Sequence, residues 1–152
     1  MSAGGNVVAS ATESGVGARA RALAVVMVLV MLGEASYWIT FLGTDAMDYP
    51  GVPCFRAYDL AFPAANLWTT LAAGVTAHGL WRLRPSAVLF GIVCGSSLTY
   101  LGLLDVMFYL GNGMYAIGTG AMWAATLINA FSLTVGPATV AWVWRHRAAL
   151  GA

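Results

Sequence analysis

Apolar residues along the chain are grouped into four long runs, with short polar segments between them. The runs lie near residues 22–42, 63–81, 86–110 and 116–144. Each is long enough to cross the hydrocarbon core of a bilayer as a helix, which takes about 20 residues. Open strands are excluded there, because backbone groups in lipid must pair within the protein. The pattern therefore predicts an all-α, polytopic membrane protein, with a four-transmembrane-helix bundle at residues 19–147.

The arginines give this bundle an expected direction. Six of the seven cationic residues lie on one side of the runs, in the segments 19–21, 82–84 and 145–147. Cationic residues are concentrated in the cytoplasmic loops of membrane proteins. We therefore expect a multi-pass protein of the inner (plasma) membrane with both termini in the cytoplasm. Residues 1–18 and 148–152 are predicted to be terminal tails, the first of them flexible.

The longest connection, residues 43–62, lies on the opposite side, which we call the outer side. Its second half reads CFRAYDLAF and repeats aromatic residues on one helical side: Phe55, Tyr58 and Phe62. This spacing predicts a short amphipathic helix that lies in the membrane interface. Other aromatic residues near the outer boundary are interpreted, together with Tyr58, as interfacial anchors: Trp38, Tyr49, Tyr109 and Tyr115.

The composition agrees with this architecture and narrows the possible functions. The chain of 152 residues is 60% hydrophobic and 9% charged, whereas about 25% of residues are charged in an average soluble domain. A net charge of +1 provides no basic surface for nucleic acid. The sequence has no nucleotide-binding, hydrolase or metalloprotease motif, and its two cysteines form no CxxC pair. These features favour a protein that is not an enzyme and that has no cofactor, metal site or nucleic-acid partner.

A polar residue interrupts each of the four apolar runs: Glu34, Asn66, Asp105 and Asn129. At about 1.5 Å per residue, Glu34 lies roughly 10 Å from the outer end of its helix and Asp105 about 7 Å from the end of its own. Small or polar residues share the helical faces of Asp105 and Asn129: Gly91, Gly95 and Gly102 in the third run, and Ala125, Ser132 and Gly136 in the fourth. Since small residues allow helices to approach closely, we expect both polar groups to face neighbouring helices rather than lipid.

Two interpretations of these polar groups remain open at this point. In the first, Glu34 and Asp105 face an outward-opening pocket for a cation, a proton or a small amine, and asparagine amides orient the ligand. The candidate ligand-binding residues are Glu34, Asp105, Asn66, Asn129, Arg56 and Asp59, with Asp45 and Asp48 adding negative charge at the mouth. In the second, the polar groups form hydrogen bonds that join the helices, each worth only about 0.6–2 kcal/mol.

Two further interpretations have less support. His78 and His146 could form a bis-imidazole site, but positions near the cytoplasmic ends are typical of interfacial histidines. Arg19 and Arg21, followed by an apolar run and the small residues around Glu34, also resemble a secretory signal with its cleavage site. The run continues through YWITFL without a break, however, and its full length of about 20 residues suits a membrane span.

Three stretches of the sequence resemble a group of small uncharacterised four-span bacterial membrane proteins: YDLAFPAANLW at 58–68, LFGIVCGSSLTYLGLLDVMFYLGNGMY at 89–115 and WVWRHR at 142–147. The resemblance covers most of residues 36–147 and implies the topology without an activity. The motif LGEASYW around Glu34 is also similar to small multidrug resistance transporters, which are four-span dimers with one essential acid in the first span. That similarity implies an analogous mechanism through Glu34, although the acid in the third run and the longer outer loop depart from it.

The sequence thus leaves more than one class of function open. We expect a small integral membrane protein that acts as a non-catalytic accessory subunit or interaction protein. Its Gly, Ala and Ser faces would contact a second copy or another membrane protein. The alternative is a proton- or cation-coupled small-molecule transporter or binding protein that uses the Glu34 and Asp105 pocket. A membrane enzyme is the third class, and the sequence offers it no recognisable nucleophile–base pair.

Overall fold

A computed structural model describes the protein at residues 4–44, 52 and 54–152, with side chains described from Gly15 onward. Five α-helices follow one another: α1 (Gly4–Gly43), α2 (Phe55–Asp59), α3 (Pro63–Trp81), α4 (Ser86–Gly111) and α5 (Gly120–Arg145). Short 3₁₀ turns occupy Met114–Ala116 and Ala148–Leu150. The described part of the chain contains no strand, which confirms the all-α prediction. Asp45 and Asp48 lie outside the described residues.

Three of the helices are long and apolar enough to cross a membrane: Gly15–Gly43 within α1, α4 and α5. The predicted second run coincides with α3, which has 19 residues. It is not among the three, because Asn66, His78 and several threonines lower its mean hydropathy. The fold therefore has three helices that suit a membrane by length and composition, and a fourth, shorter helix of 19 residues that is more polar.

The first helix is longer than its apolar run. We predicted a flexible tail at residues 1–18, whereas α1 begins at Gly4 and continues to Gly43 without interruption. The sequence has no proline before Pro50, so nothing in this segment removes a backbone donor from the helix. Adding residues to an existing helix is also much easier than nucleating a new one.

The last long helix begins later than its apolar run. Gly113 has a φ of +63°, and this left-handed conformation turns the chain from α4 into the 3₁₀ turn. The side chain of Thr119 then accepts a hydrogen bond of 3.3 Å from the backbone N–H of Met122 and caps α5. The first residues of the fourth predicted run therefore form a turn, and the helix itself begins at Gly120.

The long helices pack in chain order, α1 on α3, α3 on α4, and α4 on α5. α4 and α5 approach each other closely, and a Cβ on Gly95 would lie 2.6 Å from the carbonyl oxygen of Gly136. The glycine face predicted for the third run is thus the buried face of α4. It packs against α5 of the same chain.

Two apolar clusters stabilise the bundle near its ends. We call the end near residues 82–84 the arginine end; here alanines and Met27 of α1 pack against Ala73 and Leu80 of α3. We call the other, where α2 lies, the loop end. Its cluster is named the aromatic cap and consists of Phe41, Val52, Phe55, Tyr109, Met114 and Met122, with Tyr37, Trp38 and Tyr115 packed around it.

Candidate functional site

A cavity of about 180 Å³ lies between the two apolar clusters and is lined by all four long helices and by α2. Five of the six candidate residues predicted from the sequence line it: Glu34, Asn66, Asp105, Asn129 and Asp59. They come from five different helices, so the cavity that they line forms only when the helices pack. A space of this size is comparable to an engineered protein cavity of about 150 Å³ that holds a benzene ring.

The sixth candidate, Arg56, has a different position. Its guanidinium carbon lies 5.5 Å from the centroid of the Phe41 ring, which is a cation–π contact within the aromatic cap. Arg56 is not among the residues that line the cavity. The described lining residues include three carboxyl groups and no Arg, Lys or His. The cavity therefore has an acidic lining without a cationic side chain to balance it.

Tyr58 of α2 holds the carboxyl group of Asp105. Its hydroxyl donates a hydrogen bond of 3.1 Å to Oδ1 of Asp105, which is on α4. The Tyr58 ring stacks on Phe108 with 3.8 Å between ring centroids and an interplanar angle of 8°. One carboxyl oxygen of Asp105 is thus tied to α2, and the ring contact fixes the direction of the tyrosine.

A second tyrosine holds the acid of α2. The hydroxyl of Tyr37 on α1 donates a hydrogen bond to Oδ2 of Asp59. Asp59 is buried, and burial raises its pKa from 3.8 to about 6, although the bond from Tyr37 opposes this shift. These two tyrosine–carboxyl pairs fasten α2 over the cavity at the loop end.

The raised pKa of Asp59 predicts a pH-dependent contribution to stability. Between pH 4 and pH 6 the folded protein holds this proton more firmly than the unfolded chain, so stability falls as pH rises through that window and is constant above it. We expect Asp59→Asn to remove this contribution, since an amide keeps the acceptor for Tyr37 without titrating. The measurement is the difference in Tm between wild type and Asp59→Asn in nanodiscs, from pH 4 to pH 7.5. A difference that does not change with pH would contradict the assignment.

Other polar groups in the cavity have unused hydrogen-bonding capacity. No described side chain donates a hydrogen bond to Glu34, which lines the same cavity as Asp105. Asn129 donates from Nδ2 to the hydroxyl of Tyr115 over 3.2 Å, which leaves its Oδ1 available. Ser132, one helical turn further, has no hydrogen bond to a described residue and is 8% exposed. Three oxygen acceptors therefore face the cavity without a donor from the described part of the chain.

The cavity has one exposed rim. Most of its lining residues are buried or half-buried, including Asp59 and Tyr109 at the loop end. The exposed ones are Leu29 and Gly33 on α1, and Ile128 and Phe131 on α5. α1 and α5 do not pack against each other along their length. The cavity therefore opens sideways between these two helices.

Three hydrogen-bonding tyrosines and Ser132 were not predicted as site residues. Tyr37 lies three residues after Glu34, so its helical phase was a usable signal. Tyr58 and Tyr115 were interpreted as membrane anchors, which uses only their amphipathic character. Ser132 was placed on the correct small-polar face of α5, without a role.

The comparisons with known proteins add no relative to this picture. No family model, no curated protein and no solved structure matches this chain. Fold and site together define an all-helical protein with three helices able to cross a membrane and an acidic cavity among its helices.

Proposed function

We propose that the protein binds a small organic cation within the membrane and exchanges it for protons. One observation carries this proposal: a single cavity is lined by Glu34, Asp105 and Asp59 and by no cationic side chain in the described chain. Carboxyl groups at membrane depth are unfavourable unless they are paired or functional. A cationic ligand would provide the missing partner. Protons and the ligand would compete for the same carboxylates.

The proposal includes a four-span topology in the inner (plasma) membrane. In this topology α3 is the fourth crossing, and both termini lie in the cytoplasm. In its support, the large exposed residues of α3 are apolar or aromatic except for His78, which lies in the last turn at the arginine end: Leu67, Trp68, Leu71, Val75 and Trp81. The hydroxyls of Thr69 and Thr76 donate to backbone carbonyls of their own helix and need no water. The arginine distribution supports this orientation.

The accessory-subunit hypothesis relied on small-residue faces that would contact a partner. Gly91, Gly95 and Gly136 make their close contacts within this chain: a Cβ on Gly91, for instance, would lie 2.9 Å from the Val143 side chain. These faces hold α4 against α5, and the acidic cavity requires another explanation. A binding function accounts for the carboxyl groups of Glu34 and Asp105 and for the unused acceptors of Asn129 and Ser132.

Binding of matched ligands tests the proposal. Purified protein in nanodiscs is titrated by calorimetry with cyclohexylamine, cyclohexanol and cyclohexanecarboxylate, which share one ring and differ in charge. We expect saturable binding of the amine, at least about tenfold tighter than the alcohol, a difference of about 1.4 kcal/mol. Binding of the amine should weaken as pH falls from 8 to 5.5. Equal affinity for the three ligands, or no binding of the amine, would rule the proposed function out.

A further inference from the structure

The position of the opening limits how a ligand can reach the cavity. Ile128 lies eight residues after the first residue of α5, about 12 Å along a helix of 26 residues that is about 39 Å long. The opening is therefore far from either end of the helix. At the loop end the aromatic cap and the two tyrosine–carboxyl pairs cover the cavity. A ligand has an open path at mid-depth, where the surroundings of a spanning helix are hydrocarbon.

The rim of this opening suits an apolar chain. Leu29 is 59% exposed, Ile128 48% and Phe131 40%, and all three also line the cavity. Gly33 completes the rim, and a Cβ placed there would meet nothing within 4 Å. An unbranched alkyl chain could thus leave the cavity between α1 and α5 along an apolar surface.

The acceptors inside the cavity specify the head group. Ser132 is 8% exposed and Asn129 is 2% exposed, and both line the cavity one helical turn apart. The Ser132 hydroxyl and Oδ1 of Asn129 have no donor among the described residues, and neither has the Glu34 carboxyl. A primary ammonium group carries three N–H donors, whereas a quaternary ammonium carries none. Buried acceptors that stay unpaired disfavour a ligand without donors.

From this geometry we propose that the ligand is a free long-chain primary amine. Its ammonium group donates to Glu34, Asn129 and Ser132, and its alkyl chain passes out between α1 and α5 into the lipid. The inference rests on the proposed cation-binding function and deepens it by naming the ligand class. An aminophospholipid is a poorer fit, because its phosphate would enter a cavity with three carboxyl groups and no cationic lining residue.

A ligand series tests the head group and the chain separately. Nanodiscs of phosphatidylcholine and phosphatidylglycerol that contain the protein are titrated with butylamine, octylamine and octyltrimethylammonium, and the signal of empty nanodiscs is subtracted. We expect octylamine to bind at least about tenfold tighter than butylamine, since each buried methylene adds affinity. Octyltrimethylammonium should bind at least about tenfold more weakly than octylamine. Ser132→Ala should reduce the difference in affinity between octylamine and octyltrimethylammonium. It should leave the folded state unchanged.

The opening is tested with a pair of glycine variants. Gly33→Phe places a ring at the rim, and Gly17→Phe places one on the same helix, also where a Cβ meets nothing within 4 Å. We expect Gly33→Phe to weaken octylamine binding at least about tenfold, and to weaken it more than it weakens the binding of cyclohexylamine, which has no alkyl chain to pass the rim. Gly17→Phe should leave both unchanged.

Failure of this inference can be told apart from failure of the proposed function. If cyclohexylamine binds while octylamine is no tighter than butylamine, or octyltrimethylammonium binds as well as octylamine, the ligand class is wrong and the cation site stands. If no amine binds, both are wrong. In a last arm, half of the lipid is replaced by phosphatidylethanolamine. Unchanged octylamine affinity supports a free amine, and a marked loss would show that a lipid head group occupies the site and would overturn the assignment.

Discussion

Replacing Glu34 with Gln is expected to weaken cyclohexylamine binding by about 30-fold or more. The substitution removes the charge of the carboxyl that has no hydrogen-bond donor among the described residues. Loss of one member of a buried charged pair typically costs about 2–5 kcal/mol, and each 1.4 kcal/mol is a factor of ten in affinity. The measurement is the same calorimetric titration in nanodiscs that compares the amine with its alcohol. The alcohol should bind Glu34→Gln and wild type equally.

The control for this variant is its stability. Glutamine has nearly the same shape as glutamate, and removing an uncompensated charge from the membrane interior is not expected to weaken the fold. We therefore expect a Tm equal to or above that of wild type. A folded Glu34→Gln protein that binds the amine with unchanged affinity would remove Glu34 from the site and leave the cavity without its proposed role.

The second large effect concerns the contact between α4 and α5. In Gly136→Ala the new methyl group would lie 2.4 Å from Oγ1 of Thr99 and 2.7 Å from the carbonyl oxygen of Gly95. A backbone atom cannot move away as a flexible side chain can, so the helices must separate. We expect a loss of about 1–3 kcal/mol or more in the free energy of unfolding, the usual range for an overpacked core. Denaturant titration in bicelles measures it.

A glycine in open surroundings provides the matched control. A Cβ on Gly17 of α1 would meet nothing within 4 Å. Gly17→Ala should be neutral or stabilising by up to about 1 kcal/mol, because alanine favours the helix over glycine. The same intrinsic gain applies at Gly136, so the difference between the two variants isolates the steric term. Equal stability of both variants would mean that α4 and α5 are further apart than the structure places them.

Helical phase was sufficient to predict which side of α4 and of α5 faces the neighbouring helices. The 3–4 spacing of Gly95, Gly102 and Asp105 predicted the buried face of α4, and the same reasoning located Asn129 on α5. This works because a helix has a fixed angular repeat, so residues on one face are known once the helix is known. Depth followed from the rise per residue. Whether the four polar residues of the four helices meet at one cavity stayed open at that point, and the structure brings them together.

The loop residues could not be placed by the same argument. Arg56 and Tyr58 are two positions apart on α2, yet Tyr58 reaches Asp105 while Arg56 lies over Phe41. The rotation of so short a helix is determined by the aromatic cap, whose members come from distant parts of the sequence. The sequence analysis named Arg56 among the candidate ligand-binding residues, whereas in the structure Tyr58 of the same helix is the residue that contacts Asp105.

Packing in chain order also has a consequence for biosynthesis. Each long helix after the first packs against the long helix that precedes it, so the bundle can grow helix by helix as the chain enters the membrane. Once α4 has docked, Glu34 and Asp105 are already at membrane depth, while Asn129 and the glycine contact of α5 are still missing. The intermediate is thus an acidic cleft open to lipid along a whole side. α5 is then the helix that turns this poorly tolerated intermediate into a finished protein, and chains that end before Gly120 should be removed by the cell's quality control rather than accumulate.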